Sequence, residues 1–209
     1  MSVLNRIAHF QNRRDEVPNQ ELARDLAKRK DRKGIQEIAA NLWSTDKNVQ
    51  ADCIKVLYEV GYIDPTLVAG YAGDFVRLLK NRNNRLVWGG MIALGTVAHL
   101  KPAVVAMHLD EIKKAMKEGS VITVDNAVLV LARAASAGEK YRRVMFPLLI
   151  NHLMTCRPKD VPQHSEKSLP AVTASNKREF VAVLVKRLLD LSGSGLARVK
   201  KVIRQAEAK

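Results

Sequence analysis

Apolar residues recur through the middle of the chain at the spacing of one helix face, and the same pattern returns at a fixed interval. The run DKNVQADCIKVLYEVGYIDP begins at Asp46. Stepping from 46 to 83 to 120, an interval of 37, the chain reads NNRLVWGGMIALGTVAHLKP and then SVITVDNAVLVLARAA. The columns agree: Leu57, Leu94 and Leu131; Ile54, Met91 and Val128; Val60, Val97 and Ala134. Cys53, Gly90 and Ala127 form a small-residue column where neighbouring backbones can approach closely. Asp46, Asn83 and Ser120 share another column, and all three are good N-cap types. The pattern predicts second helices over 47–60, 84–98 and 121–135, each preceded by a first helix. The first helices carry Ile38, Phe75 and Ile112 in one column and Leu42, Leu79 and Met116 in another, four apart and so on one face. Asp64 and Pro65 suit the start of the middle first helix, with Pro102 in the same role one period later.

A helix with one apolar face gains most of its stability by burying it. Two such helices per repeat must stack on the next pair, which predicts an all-α superhelix of about four to five hairpins in one domain, 1–209. Residues 1–33 read as a helical cap, with an amphipathic helix over 2–14 and a second from Gln20 to about Lys30 capped by Asn19. Repeats occupy 34–156, where Pro147 should bend or begin a helix. The stretch 157–175, with Pro158, Pro162 and Pro170, reads as a Pro-containing loop. C-terminal helices over 176–209 close the stack, the first with Phe180, Leu184, Leu188 and Leu191 inward; SGSG reads as a flexible joint and the last, basic helix as a cap.

These residues resemble the HEAT and armadillo-like repeat family. The second helices are similar to its signature in Asp46, Val49, Leu57 and Gly61, and in Asn83, Leu86, Ala93, Leu94 and Gly95. The likeness covers about 34–136 and, more loosely, extends to 192. Gln50 and Val87 stand where the family usually has Arg, and Ser120 replaces the Asp. The resemblance implies a right-handed α-α superhelix and a binding role, toward protein or nucleic acid. Some bacterial alkylpurine DNA glycosylases are built from similar repeats, which is a likeness of fold and does not fix function.

Composition narrows the partners. Of 209 residues, 47% are hydrophobic and only 5% aromatic, which suits helices packed by aliphatic side chains. The formal charge of +14 favours acidic partners. The positive residues avoid the inward columns of the second helices: one such column is Lys55, Ile92 and Leu129, another Asp52, Gly89 and Asn126. They gather instead at Lys28, Arg29, Lys30, Arg32 and Lys33, at Lys80, Arg82 and Arg85, and at Arg198, Lys200, Lys201 and Arg204. These are candidate phosphate contacts for DNA or RNA, although the aromatic residues that would stack bases are few. Two cysteines without CxxC fit a cytoplasmic setting, and no apolar stretch nears the about 20 residues that span a bilayer.

No catalytic motif has the required spacing, and neither a cofactor nor a metal is called for. His152 and Cys156 lie four apart, a spacing allowed for two metal ligands, but a site needs partners that no CxxC or HxxxH supplies. On the face expected to line the groove, Trp88, Asp125 and Arg133 are the candidate groove residues. Such a trio would resemble what those glycosylases use, namely aromatic contact, a carboxylate for positive charge and a phosphate clamp, although no motif matches residue by residue. The expectation is a non-enzymatic scaffold presenting a groove to a protein or peptide. A nucleic-acid binder using basic turns and end helices is the alternative, and a glycosylase a more distant one.

Overall fold

The computed structural model describes residues 2–209, and among them the regular structure is entirely helical. The chain alternates between two layers. One consists of α1 (Val17–Arg29), α3 (Lys47–Ile63), α5 (Asn84–Val97), α8 (Val121–Ser136), α10 (Val161–Ser168) and α12 (Gly193–Glu207), each packed on the next. The other holds α2 (Arg32–Ala40), α4 (Ala72–Leu78), α6 (Pro102–Met107) with α7 (Leu109–Glu118), α9 (Glu139–Thr155) and α11 (Lys177–Arg187). This gives five hairpins behind an N-terminal helix, an α-solenoid whose core runs continuously between the layers.

The repeat signals act as the pattern predicts. Asp46 accepts from the Asn48 and Val49 amides at 2.7 and 3.4 Å, Asn83 from Arg85 at 3.0 Å, and Ser120 from Thr123 at 3.4 Å. Each satisfies helix N–H groups that have no intrahelical partner. Leu57, Leu94 and Leu131 are buried, as are Cys53, Gly90 and Ala127. The small side chain matters most at Gly90, where a Cβ would lie 2.8 Å from the Phe75 carbonyl oxygen and 2.9 Å from Leu78 Cβ.

Several segments differ from expectation, each for a visible reason. Residues 2–14 form no helix but two 3-10 turns, Leu4–Arg6 and His9–Gln11. Their amides bond outward instead: Val3 to Glu37 of α2 at 3.1 Å, Ala8 to Asn19 at 3.0 Å and His9 to Asp52 of α3 at 2.8 Å. Asn19 is therefore not an N-cap; it is buried inside α1 and also donates to Asp52 at 2.9 Å. Asp64 caps a 3-10 turn, Pro65–Leu67, through the Thr66 amide at 3.0 Å, and α4 starts only at Ala72. The third first helix is broken into α6 and α7 at His108. Pro147 neither begins nor ends α9, and it sits on the exposed side, where water can reach the carbonyl left without a partner.

The largest correction concerns 157–175, which is not a loop. It contains the 3-10 turn Pro158–Asp160, helix α10 and the 3-10 turn Leu169–Ala171. The three prolines lie in first turns, where no amide is missed. The polar run HSEKS can bury one side of its helix because Ser165 donates to the Pro162 carbonyl at 2.9 Å and Ser168 to that of His164 at 2.8 Å, while Glu166 stays exposed. SGSG is likewise no free joint: α12 starts at Gly193, which has a φ of 54°, and Gly195 lies against Pro162.

Candidate functional site

Positions 48, 52, 55, 59 and 62 of α3 lie on one helix stripe, and the period carries that stripe to α5 and α8. It is the face of the second-helix layer not covered by first helices. At its N-terminal end the chain itself closes it. The segment 9–16 lies across α3, with Lys55 paired to Glu16 and to Glu59, each at 2.7 Å. Burial alone would lower the Lys55 pKa, but the two carboxylates hold it above the usual lysine value. The one lysine in the stripe is thus neutralised.

The middle of the face is open. Trp88 and Ile92 are half-buried on α5, with their inner sides against the core. Leu129 of α8 is half-buried close to Gly95, whose Cβ would lie 3.8 Å from Leu129 Cδ2. Below them lies a depression of about 390 Å³ lined by Tyr62, Thr96, His99, Arg133, Ser136 and Pro170. Partial burial and the Arg133 charge keep His99 below its ordinary pKa. Arg85 is exposed at the opposite end of α5.

The candidate trio is dispersed across this surface. Arg133 donates to the Gly95 carbonyl at 2.7 Å and faces the depression near Tyr62 and His99. Asp125 lies about 12 Å away along α8, given eight residues at helical rise. Its carboxylate is engaged with α10: Oδ1 with His164 Nε2 at 2.7 Å and Oδ2 with Gln163 Nε2 at 2.6 Å. Trp88 remains on α5, in the open stretch.

All three basic clusters are exposed, but they do not share a face. Lys28, Arg29, Lys30, Arg32 and Lys33 span the α1–α2 turn, and Lys30 and Arg32 help lower the Asp64 pKa at the C-terminal end of α3, after its hydrogen bonds from Thr66. Lys80, Arg82 and Arg85 surround the N-terminus of α5, at the other edge, where Lys80 pairs with Glu111 at 3.1 Å. Arg198, Lys200, Lys201 and Arg204 lie on α12, the end of the stack, with Arg198 paired to Glu166 at 2.6 Å.

The structure adds a third member to the His152–Cys156 pair. His152 and Cys156 of the α9 terminus meet His164 of α10, and the ligand atoms of all three lie within 4.8 Å of one another. His152 Nε2 is 2.9 Å from His164 Nδ1. Burial and the neighbouring His164 push the His152 pKa down to about 4, and burial raises that of Cys156. The sequence does not announce His164, because three prolines make its segment resemble a loop and the serines that satisfy themselves within α10 carry no periodic signal.

No family model and no curated protein matches the chain. Solved structures do. A designed armadillo repeat protein in complex with the peptide (KR)4 matches with a TM-score of 0.67 at 13% identity, covering 90% of this chain and 85% of its own. The chain folds as a helical repeat protein. Another designed armadillo repeat protein covers 97% of this repeat protein and 99% of its own chain, with a TM-score of 0.65 at 13% identity. An engineered protein matches over 100% and 98% of the two chains at 18% identity, with a TM-score of 0.65. At these identities the likeness is one of fold.

Proposed function

We propose that this chain is a non-enzymatic binding scaffold whose open second-helix face receives a protein segment carrying apolar and acidic side chains. The observation behind this reading is the half-buried stretch of Trp88, Ile92 and Leu129 on the open face, apolar at its centre and flanked by Arg85 and Arg133. Apolar side chains supply burial and the flanking guanidiniums supply polarity and register. The solved neighbour holding (KR)4 makes peptide capture a natural use of the fold. In this chain the net charge of +14 and the Arg85 and Arg133 guanidiniums flanking the apolar stretch favour the opposite sign of peptide.

Basic residues split between two edges and one end suit solubility and rim contacts better than a continuous phosphate track. Panning a displayed peptide library against the chain tests the reading. Enriched sequences should combine Asp or Glu with aromatic or aliphatic residues, and Ile92→Asp should abolish their binding while helix content is kept. Duplex DNA retained tightly at moderate salt, with no peptide enriched, would favour nucleic acid instead. Release of free base from alkylated DNA would overturn the non-enzymatic assignment.

A further inference from the structure

We propose that His152, Cys156 and His164 form a binding site for a borderline-soft divalent metal ion, zinc above all, with Asp125 orienting His164 from behind. The proposal stands on geometry and is independent of the peptide-binding face. His152 and Cys156 are one turn apart at the end of α9, and α10 brings His164 against them.

The tautomers are set by hydrogen bonding. His164 Nε2 lies 2.7 Å from Asp125 Oδ1, so that nitrogen carries the proton and donates it. Its Nδ1 lone pair then accepts from His152 Nε2–H, 2.9 Å away, and on metal binding that proton moves through solvent to His152 Nδ1, which frees both facing lone pairs. A ligating imidazole whose other nitrogen is held by a carboxylate is the usual support for a metal-bound histidine. Asp125 is itself fixed by Gln163 at 2.6 Å, and Lys167 donates to its carbonyl at 2.9 Å. The orienting carboxylate and the buried His164 are therefore in place before any ion arrives.

The distances fit. Zinc bonds of about 2.0–2.1 Å to nitrogen and 2.3 Å to sulfur, at tetrahedral angles, separate two ligating nitrogens by about 3.3 Å and a nitrogen from a sulfur by about 3.6 Å. The two histidines need to part by only a few tenths of an ångström, and the Cys156 sulfur, within 4.8 Å of both nitrogens, to close by up to about 1.2 Å, which a side-chain rotation supplies. The imidazole rings are tilted at 48° rather than stacked, so their nitrogens converge. A cavity of about 330 Å³ opens beside the cluster and leaves a fourth position for water; Asp160 at its border is held by Arg157 at 2.7 Å. Two imidazoles and a thiolate select zinc, cobalt or copper over calcium or magnesium. Binding is written R–SH + M²⁺ → R–S–M⁺ + H⁺: the sulfur–hydrogen bond breaks, a sulfur–metal bond forms, and the proton goes to solvent.

The full chain, stripped with a chelator, is titrated with Co²⁺ and then Zn²⁺. The expected result is one Co²⁺ per chain, with the intense visible bands of four-coordination and a thiolate charge-transfer band, all displaced by one equivalent of Zn²⁺. Cys156→Ser should lose the charge-transfer band, and Cys53→Ser should keep it. Asp125→Asn should weaken binding about 10- to 100-fold. Absence of these bands with excess Co²⁺, or a charge-transfer band that survives Cys156→Ser, would overturn the site. Should that variant not fold, alkylation of the wild-type chain followed by mass mapping decides: Zn²⁺ should protect Cys156 selectively, and an unchanged rate at Cys156 refutes the proposal.

Discussion

Gly90 and Gly95 lie on one helix, and comparing their alanine variants isolates what close packing between layers is worth. Both substitutions gain the same propensity, about 0.8–1.0 kcal/mol for Gly to Ala within a helix. They differ in what the methyl meets. At Gly95 it would find Val130 Cγ2 at 3.7 Å and Leu129 Cδ2 at 3.8 Å, ordinary contact between side chains. At Gly90 it would lie 2.8 Å from the Phe75 carbonyl oxygen and 2.9 Å from Leu78 Cβ, so the backbone of α4 must move. Overpacking of this kind costs about 1–3 kcal/mol. Gly95→Ala should therefore be stabilised by up to about 1 kcal/mol, and Gly90→Ala should be less stable than Gly95→Ala by about 1–3 kcal/mol. For a chain of this size the melting temperatures should separate by about 2–12 °C. Thermal and urea unfolding, followed by helical ellipticity, reads both. If the two variants melt together, α4 and α5 do not approach as closely as described, and the reading of the small-residue column fails.

Two further outcomes follow from the caps and the buried polar network. Asp46→Ala, Asn83→Ala and Ser120→Ala should each cost about 1 kcal/mol in urea unfolding, and a negligible cost at all three would remove the N-cap assignment. Asn19→Ala should cost about 1–3 kcal/mol, because it leaves the Ala8 amide and one Asp52 oxygen without their shared partner; a melting temperature equal to wild type would refute that network.

The periodic part of the chain was legible because a repeated column states its own meaning: Asp46, Asn83 and Ser120 are different residues doing one job, and Leu57, Leu94 and Leu131 fill one layer. What was not legible lay where local signals compete with tertiary ones. Leu4, Ile7 and Phe10 have helical spacing, yet Glu37, Asn19 and Asp52 take the amides a helix would need, and Phe10 is left exposed. Pro158, Pro162 and Pro170 suggest an irregular stretch, yet each sits where a helical turn begins. Trp88, Asp125 and Arg133 share a helix layer by period, but column position does not say which neighbour a long side chain reaches, and here two of the three reach away from each other.

The metal-ligating cluster arises where the repeat breaks step. The second helices begin at Lys47, Asn84 and Val121, but the next begins at Val161, 40 positions after Val121 rather than 37. It is also short, eight residues against sixteen in α8. A full-length helix in strict register would place Pro162, not His164, one period after Asp125. The slip instead brings an imidazole to that carboxylate and turns its other nitrogen onto the end of α9, where His152 and Cys156 wait. An eight-residue helix buries little apolar surface for its own support, and most of what it does bury is polar. Binding an ion there would fasten α10 to α9 at the junction the repeat leaves weakest. The stabilisation should therefore appear as slowed amide exchange within 161–168 on adding Zn²⁺ rather than evenly along the stack, because repeats interact chiefly with their neighbours. Protection spread uniformly from α1 to α12 would contradict this account.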